Sequence, residues 1–407
     1  MATEKIKNKI IIAGAGLVGT SFALCMANEF VSIELLETHL PELFTQSTTP
    51  SRPLSLSFGS YRILNAIGVW DKLEKFACPI LSVHVSEKNR LGFTHFSAQE
   101  EKVPALGFVV PFAKLQSALY EKINSHPHIT ITPIQSVETI KQDDQGANIT
   151  IQTLAEKKEI HADLFIAADG THSHCRDLLK IAHTKKDHAD VAQIYQLTLS
   201  QHHHHTAYER FTQWGVLAVL PLFEKNCAQL VWTITPRIAK KINAWTEKDI
   251  LFFLQDVFDG RLCIIDAKKL TQFPLQTIIA EKQITQSALL IGNAAHTIYP
   301  VAAQGFNLAL HDIAILCDTL NEALKNNEKL GSSVYLKKYE TTAAKHQQAI
   351  FKITHQWVSL FELPFISHAR GLGLLATNLI APIKNKLAKR TMGIAEKLPR
   401  FLRGHHE

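Results

Sequence analysis

The chain lacks any apolar run approaching the roughly 20 residues a membrane-spanning helix needs; the longest candidate, Gly371–Ile383, is short and interrupted by Asn378. The opening MATEKIKNK lacks the apolar core of a secretion signal and runs straight into an apolar strand. Cysteine is scarce, with 6 residues, widely spaced and without a CxxC pair. That argues against a zinc site and a disulfide framework, and predicts a reducing, cytoplasmic compartment. The net charge is +6, but Lys and Arg are scattered except near the C-terminus, which gives no footprint for nucleic acid. There is no internal repeat and no second GxGxxG.

What the chain does have is apolar material, 46% of its 407 residues, enough for a substantial core in one large or two medium domains. It begins with a β-α-β pattern: a buried strand at Lys9–Ala13, the turn GAGLVG (Gly14–Gly19), a helix from Leu17 to about Asn28, and a second strand Val31–Leu36 ending at Glu37. In such a unit Gly14 permits the turn, Gly16 lets a pyrophosphate approach the backbone, and Gly19 allows close helix–strand packing. Glu37 follows at the roughly 20-residue distance where an acidic group accepts hydrogen bonds from an adenosine ribose. The pattern predicts a dinucleotide site without separating FAD from NAD. Its position at the start of the chain, with further glycine-rich blocks but no second fingerprint, favours FAD.

Further along, Leu56–Ile67 reads as a helix, Val137–Ile140 and Asn148–Thr153 as a hairpin around QDDQG, and Ala162–Ala168 as a buried strand. Between about residues 185 and 275 apolar and polar positions alternate, as in Tyr195–Leu199 and Ala228–Thr235, which predicts a half-exposed antiparallel sheet. The segment Ala288–Asp312 then joins a short strand, Gly292, an irregular loop with His296, Pro300 and Gln304, and a helix opened by Gly305. A helix start with a glycine offers unpaired N–H groups to a flat, negatively charged ligand.

GAGLVG, the block ADGTHSHCR (Ala168–Arg176, fitting DGxxSxxR) and GNAAHTIYPVAAQGFN occur in an order that resembles the single-component, FAD-dependent aromatic hydroxylases of the para-hydroxybenzoate-hydroxylase type. SRPLSLSFGSYRILNAIGVW (Ser51–Trp70), SVHVSE (Ser82–Glu87), YERFTQWGVLAVLPL (Tyr208–Leu222) and PVAAQGFNLALHD (Pro300–Asp312) narrow the likeness to the ubiquinone-biosynthesis hydroxylases, most of all those acting on 2-polyprenyl-6-methoxyphenol. The resemblance implies an α/β fold: a discontinuous Rossmann-like FAD-binding domain (1–75, 100–184 and 276–332), an inserted antiparallel-sheet substrate domain (76–99 and 185–275), and a C-terminal helical region with a basic tail (333–407). It implies a monooxygenase in which NAD(P)H reduces FAD and a flavin 4a-hydroperoxide delivers oxygen to a polyprenylated phenol. The alternatives are an FAD hydroxylase of a small soluble phenol, or a flavin-bearing structural subunit of a biosynthetic complex.

The same resemblance assigns cofactor contacts to Gly14, Gly16, Leu17, Val18, Gly19, Glu37, Arg52, Asp169, Gly170, Gly292, Asn293, Gln304, Gly305, Phe306 and Asn307. The sequence departs from the family where Asn293 replaces the usual aspartate, Ala303 a glycine and His311 an arginine. No general base can be named. Pocket candidates are Arg210 and Gln213, on the sheet facing the flavin or else on its solvent side, and His296, Tyr299 and Pro300 in the flavin loop, where His296 and Tyr299 can equally serve packing and backbone bonding alone. The run His202–His205 reads as an exposed turn rather than a metal site, because a metal needs convergent geometry. Near the C-terminus an apolar helix carrying Trp357, Phe361 and Phe365 precedes Lys384, Lys386, Lys389, Arg390, Lys397, Arg400 and Arg403. That order suits peripheral contact at the inner face of a membrane, or with other ubiquinone-biosynthesis proteins.

Overall fold

The computed structural model describes residues 8–39, 53–90, 92–299, 304–362 and 381–394. Five parallel strands form the sheet that begins the chain, in the order Ala288–Leu290, Leu164–Ala167, Asn8–Ala13, Val31–Glu37, Ile129–Pro133. The uninterrupted isoleucines of the Asn8–Ala13 strand reflect burial on both faces, as parallel sheets require. Ile10 and Ile12 point into one apolar cluster, with the helices Leu17–Met26 and Gln304–Lys325, whereas Ile11 and Ala13 point into another on the opposite face. A three-stranded antiparallel ribbon (Ser136–Asp143, Gly146–Gln152, Lys157–Ala162) contributes to the second cluster. In its first turn Asp143 Oδ1 accepts from the N–H groups of Gln145 and Gly146, at 2.7 and 3.1 Å, the self-bonding that makes Asp a turn residue.

A second, eight-stranded sheet runs in the order His296–Thr297, Ile264–Ala280, His183–Leu199, Cys227–Ile234, Gly215–Pro221, Thr206–Thr212, Ser82–Glu87, Phe93–Ser97. All its neighbours are antiparallel except Thr206–Thr212 beside Ser82–Glu87. One face packs under the helix Glu247–Phe258, where Trp232 is fully buried, stacks on Phe253 with ring centroids 4.9 Å apart, and donates from Nε1 to the Trp214 carbonyl at 2.8 Å. A capping box starts that helix: Thr246 Oγ1 accepts from the Asp249 N–H, and Asp249 accepts from the Thr246 N–H. The other face is left for a cavity.

The expected helix Leu56–Ile67 begins two residues later. Pro53–Ser57 is a strand paired with Gly107–Pro111, and Ser57 caps the helix Phe58–Ala66 by accepting from the Ser60 N–H at 3.2 Å. Among the described residues no helix is long and apolar enough to cross a membrane. The helix Ala381–Thr391 packs back onto the molecule. Ala388 and Met392 are buried against Val85, Phe96 and Phe211, and the Gly59 N–H bonds the Met392 carbonyl at 2.8 Å.

Candidate functional site

A cavity of about 940 Å³ lies between the C-terminal ends of the parallel strands and the free face of the eight-stranded sheet. The six motif glycines divide into two kinds by what an added Cβ would meet. At Gly14, with φ +103°, it would lie 2.6 Å from the Ala168 carbonyl oxygen; at Gly19, 2.0 Å from that of Gly14; at Gly292, 2.9 Å from Val18. These three let backbone and side chain approach each other. At Gly16, Gly170 and Gly305 it would meet nothing within 4 Å, and all three line the cavity. The missing side chains therefore leave a cradle on three converging elements: the start of the Leu17–Met26 helix, the loop after Leu164–Ala167, and the start of the Gln304–Lys325 helix. Two helix N-termini face this space, which suits phosphate and anionic ring edges.

Leu17, Val18, Asn293, Gln304, Phe306 and Asn307 also line the cavity. The Asn307 side chain is committed elsewhere. Its Oδ1 accepts from the Ser57 N–H at 2.8 Å and from Ser60 Oγ at 2.7 Å, and its Nδ2 donates to the Ser55 carbonyl, which ties the helix start to the Pro53–Ser57 strand. Asn293 Nδ2 lies 3.4 Å from Thr171 Oγ1. Glu37 closes the second strand beside the glycine turn, one oxygen accepting from the Ala15 N–H at 2.7 Å and the other from the His39 N–H at 3.0 Å. Asp169 turns its carboxylate to the start of the helix His174–Leu178, accepting from Ser173 Oγ and from the Cys175 N–H at 2.9 Å. Arg52 and Pro300 lie outside the described residues, as do the side chains of the apolar helix segment and the basic tail from Lys397 onward.

Four pocket candidates move. Arg210 as a pocket residue would face the cavity, but it is the neighbouring positions Ala207, Glu209 and Phe211 that line it. Arg210 is buried under the Glu247–Phe258 helix, donating to the Val257 carbonyl at 2.6 Å and to Ser86 Oγ at 2.9 Å, and pairing with Asp259. Strand alternation explains the reversal, since adjacent residues face opposite sides. Gln213 is exposed in the turn between Thr206–Thr212 and Gly215–Pro221. His296 is 1% exposed and bonds Asp312 through Nε2 at 2.9 Å, behind the loop rather than in the cavity. Tyr299 donates to Asp190 Oδ2 at 2.9 Å and packs with Ala192 and Leu275. Arg210→Met is accordingly expected to lower stability by about 2–3 kcal/mol, by removing the buried guanidinium's bonds to the Val257 carbonyl and Ser86 Oγ, while Asp259 keeps Arg261. Substrate affinity should be unchanged; thermal denaturation with equilibrium substrate binding checks both.

What the sequence reading missed is on the walls. Glu209 and Gln229 project from the sheet face, and Ala388, Arg390 and Met392 close the cavity from the Ala381–Thr391 helix. Period-2 alternation around Glu209 was available as a signal; the return of a C-terminal helix to the site had none. Arg176, from DGxxSxxR, is buried and donates to the Ala294 carbonyl at 3.1 Å, tying two of the cradle's loops together. In the histidine run, Cys78, His203 and His205 have ligand atoms within 4.8 Å of one another. His203 is already spent: its Nε2 faces the Leu222 carbonyl at 3.0 Å and its Nδ1 accepts from the His205 N–H at 3.0 Å. Burial pushes the Cys78 thiol up to about 12.

Residues 7–354 match the family model described as an FAD binding domain. The chain belongs to this family. FAD is its cofactor, and the likeness to aromatic hydroxylases read from the motifs holds. Over 395 residues the chain is 28% identical to the 3-demethoxyubiquinol 3-hydroxylase of Escherichia coli, covering 95% of this chain and 98% of the relative. It is 26% identical to the ubiquinone hydroxylase UbiL of Rhodospirillum rubrum, covering 97% and 92%. Among solved structures, p-nitrophenol 4-monooxygenase PnpA from Pseudomonas putida superposes with a TM-score of 0.75 over 97% of this chain and 99% of that one, at 16% identity, which establishes the shared fold.

Proposed function

We propose that this FAD-binding protein is a monooxygenase that hydroxylates the aromatic ring of a polyprenylated phenol in ubiquinone biosynthesis. The observation that carries the reading is the continuity of one cavity from the glycine cradle to an apolar sheet face closed by the Ala381–Thr391 helix. The relatives' names supply the substrate class.

When bound, FAD takes electrons from NAD(P)H and activates oxygen for transfer to the ring. The protein's part is to bind, orient and keep dry. Gly16, Leu17 and Val18 would hold the pyrophosphate at a helix N-terminus, with Gly14 and Gly19 allowing the tight turn that presents them, and Glu37 would accept from the ribose. Arg52 would meet the FAD phosphates, and Gly170 and Asn293 would line the middle of the cofactor, with Asp169 and Gly292 shaping the two loops that carry them. Gln304, Gly305, Phe306 and Asn307, at the start of a helix on the cavity wall, would offer backbone N–H groups and the helix dipole to an anionic ring. Val83, Val85, Phe96, Phe211 and Met392 exclude water from the reacting face and accept a prenyl tail. Lys386 and Lys389, exposed on the outer side of the Ala381–Thr391 helix, would meet an anionic membrane surface from which such a substrate enters.

The test is steady-state hydroxylation by the FAD-loaded protein of a farnesylated phenol and of the same phenol without its tail. One buried isoprene unit, at about 0.8 kcal/mol per carbon, is expected to raise kcat/KM roughly 100-fold or more. Equal values for the two substrates would favour a small soluble phenol instead.

A further inference from the structure

The cavity face of the Thr206–Thr212 strand carries one charged side chain. Glu209 lines the cavity between Ala207 and Phe211, and its cross-strand neighbours are Ala218 on one side and Val85 on the other. The residues directly opposite it and those two positions either side of it on its own strand are apolar. Arg210, the next residue, has three partners, whereas among the described residues the Glu209 carboxylate has neither a hydrogen bond nor an ion pair. Burial pushes its carboxyl up to about 7. The other charged side chains on the cavity wall are Glu87, from the adjoining Ser82–Glu87 strand, and Arg390, from the Ala381–Thr391 helix.

A half-buried carboxylate without a donor is costly, and a ligand that brings an O–H removes the cost. We propose that Glu209 is the acceptor for the ring hydroxyl of the phenol, and so selects hydroxyl-bearing rings over their ethers and quinones. The inference rests on the function proposed above and names the group that would read its substrate. A hydrogen bond from a phenol to a carboxylate in an apolar setting is charge-assisted and short. It shifts electron density onto the phenol oxygen and into the ring, which favours attack by an electrophilic oxygen. Well above pH 7, where Glu209 is ionised, a quinone carbonyl or a methyl ether presents only lone pairs to the same carboxylate. It leaves Glu209 desolvated and unpaired, the arrangement by which a polar site rejects an analogue lacking the hydroxyl.

The experiment compares dissociation constants of a farnesylated phenol and its methyl ether at about pH 8.5, where Glu209 is ionised, by titration calorimetry on the FAD-loaded wild type, Glu209→Leu, Glu209→Gln and Glu209→Asp. The wild type is expected to bind the phenol about 10- to 100-fold more tightly than the ether. Glu209→Leu should bind the two within about threefold while retaining FAD, and Glu209→Asp should restore part of the preference. Glu209→Gln keeps the side chain's size and reads the loss of charge if the leucine variant fails to fold. A phenol preference that survives in both the leucine and glutamine variants overturns the proposal. Wild-type protein that binds phenol and ether equally, with the tail still required, overturns only the role of Glu209. Wild-type protein that binds neither overturns the prenylated-phenol reading itself.

Discussion

Gly305→Leu is expected to leave the protein folded and empty of flavin. The position opens the Gln304–Lys325 helix, and an added Cβ there meets no protein atom within 4 Å, so the leucine side chain projects into the cavity rather than into the core. Leucine is also the better helix former, by somewhat under 1 kcal/mol, so the apoprotein's melting temperature should hold or rise slightly. Flavin is a different matter. The side chain occupies the space in which the ring would rest against backbone N–H groups, and overlap of even one or two methylenes with a close-packed ligand costs about 1–3 kcal/mol. Together with the lost approach to the helix dipole, retained FAD after gel filtration should fall at least roughly tenfold. Gly19→Ala provides the opposite control: its Cβ would stand 2.0 Å from the Gly14 carbonyl oxygen, so it should lower the melting temperature of the chain itself. A Gly305→Leu protein with full flavin content would remove the helix start from the cofactor site.

Asp312→Ala is expected to produce the largest loss of stability, about 3–5 kcal/mol. Asp312 and His296 are each 1% exposed, and one oxygen of Asp312 accepts both His296 Nε2 at 2.9 Å and Gln347 Nε2 at 2.8 Å. Three segments meet at that oxygen: the loop after Gly292, the helix Gln304–Lys325 and the helix Ser333–Glu362. Removing it strands two buried donors and leaves a void where the carboxylate stood. Because the same loop carries Asn293 and Thr297 to the cavity wall, FAD affinity should fall with stability. Urea denaturation of the apo- and FAD-loaded variant separates the two effects. An unchanged midpoint would mean that the pair does not hold the loop.

The parts of the fold and site legible in the sequence are those in which one short stretch carries the whole physical requirement. GAGLVG needs Gly14 and Gly19 because of contacts made within a few residues and with one neighbouring strand, and the Ile10–Ile12 run declares a strand buried on both sides. The large sheet was legible as alternation, but its order was not. The parallel pairing of Thr206–Thr212 with Ser82–Glu87 joins segments more than 100 residues apart and leaves no local mark. Arg210 and Glu209 show the cost of that gap. The strand was recognisable, but which face met the cavity depended on a register of one residue, and the more conspicuous cation proved to be the structural one. His296 takes the packing role rather than the pocket role, and its partner was not legible: Asp312 lies 16 residues on, on the buried face of the next helix.

Purified FAD-loaded protein given a farnesylated phenol, NAD(P)H and ¹⁸O₂ is expected to yield a hydroxylated phenol carrying one ¹⁸O per NAD(P)H consumed, read by mass spectrometry of the product. NAD(P)H oxidation that yields only hydrogen peroxide, or a product oxygen drawn from water, would mean that the chain does not transfer oxygen from O₂ to the phenol.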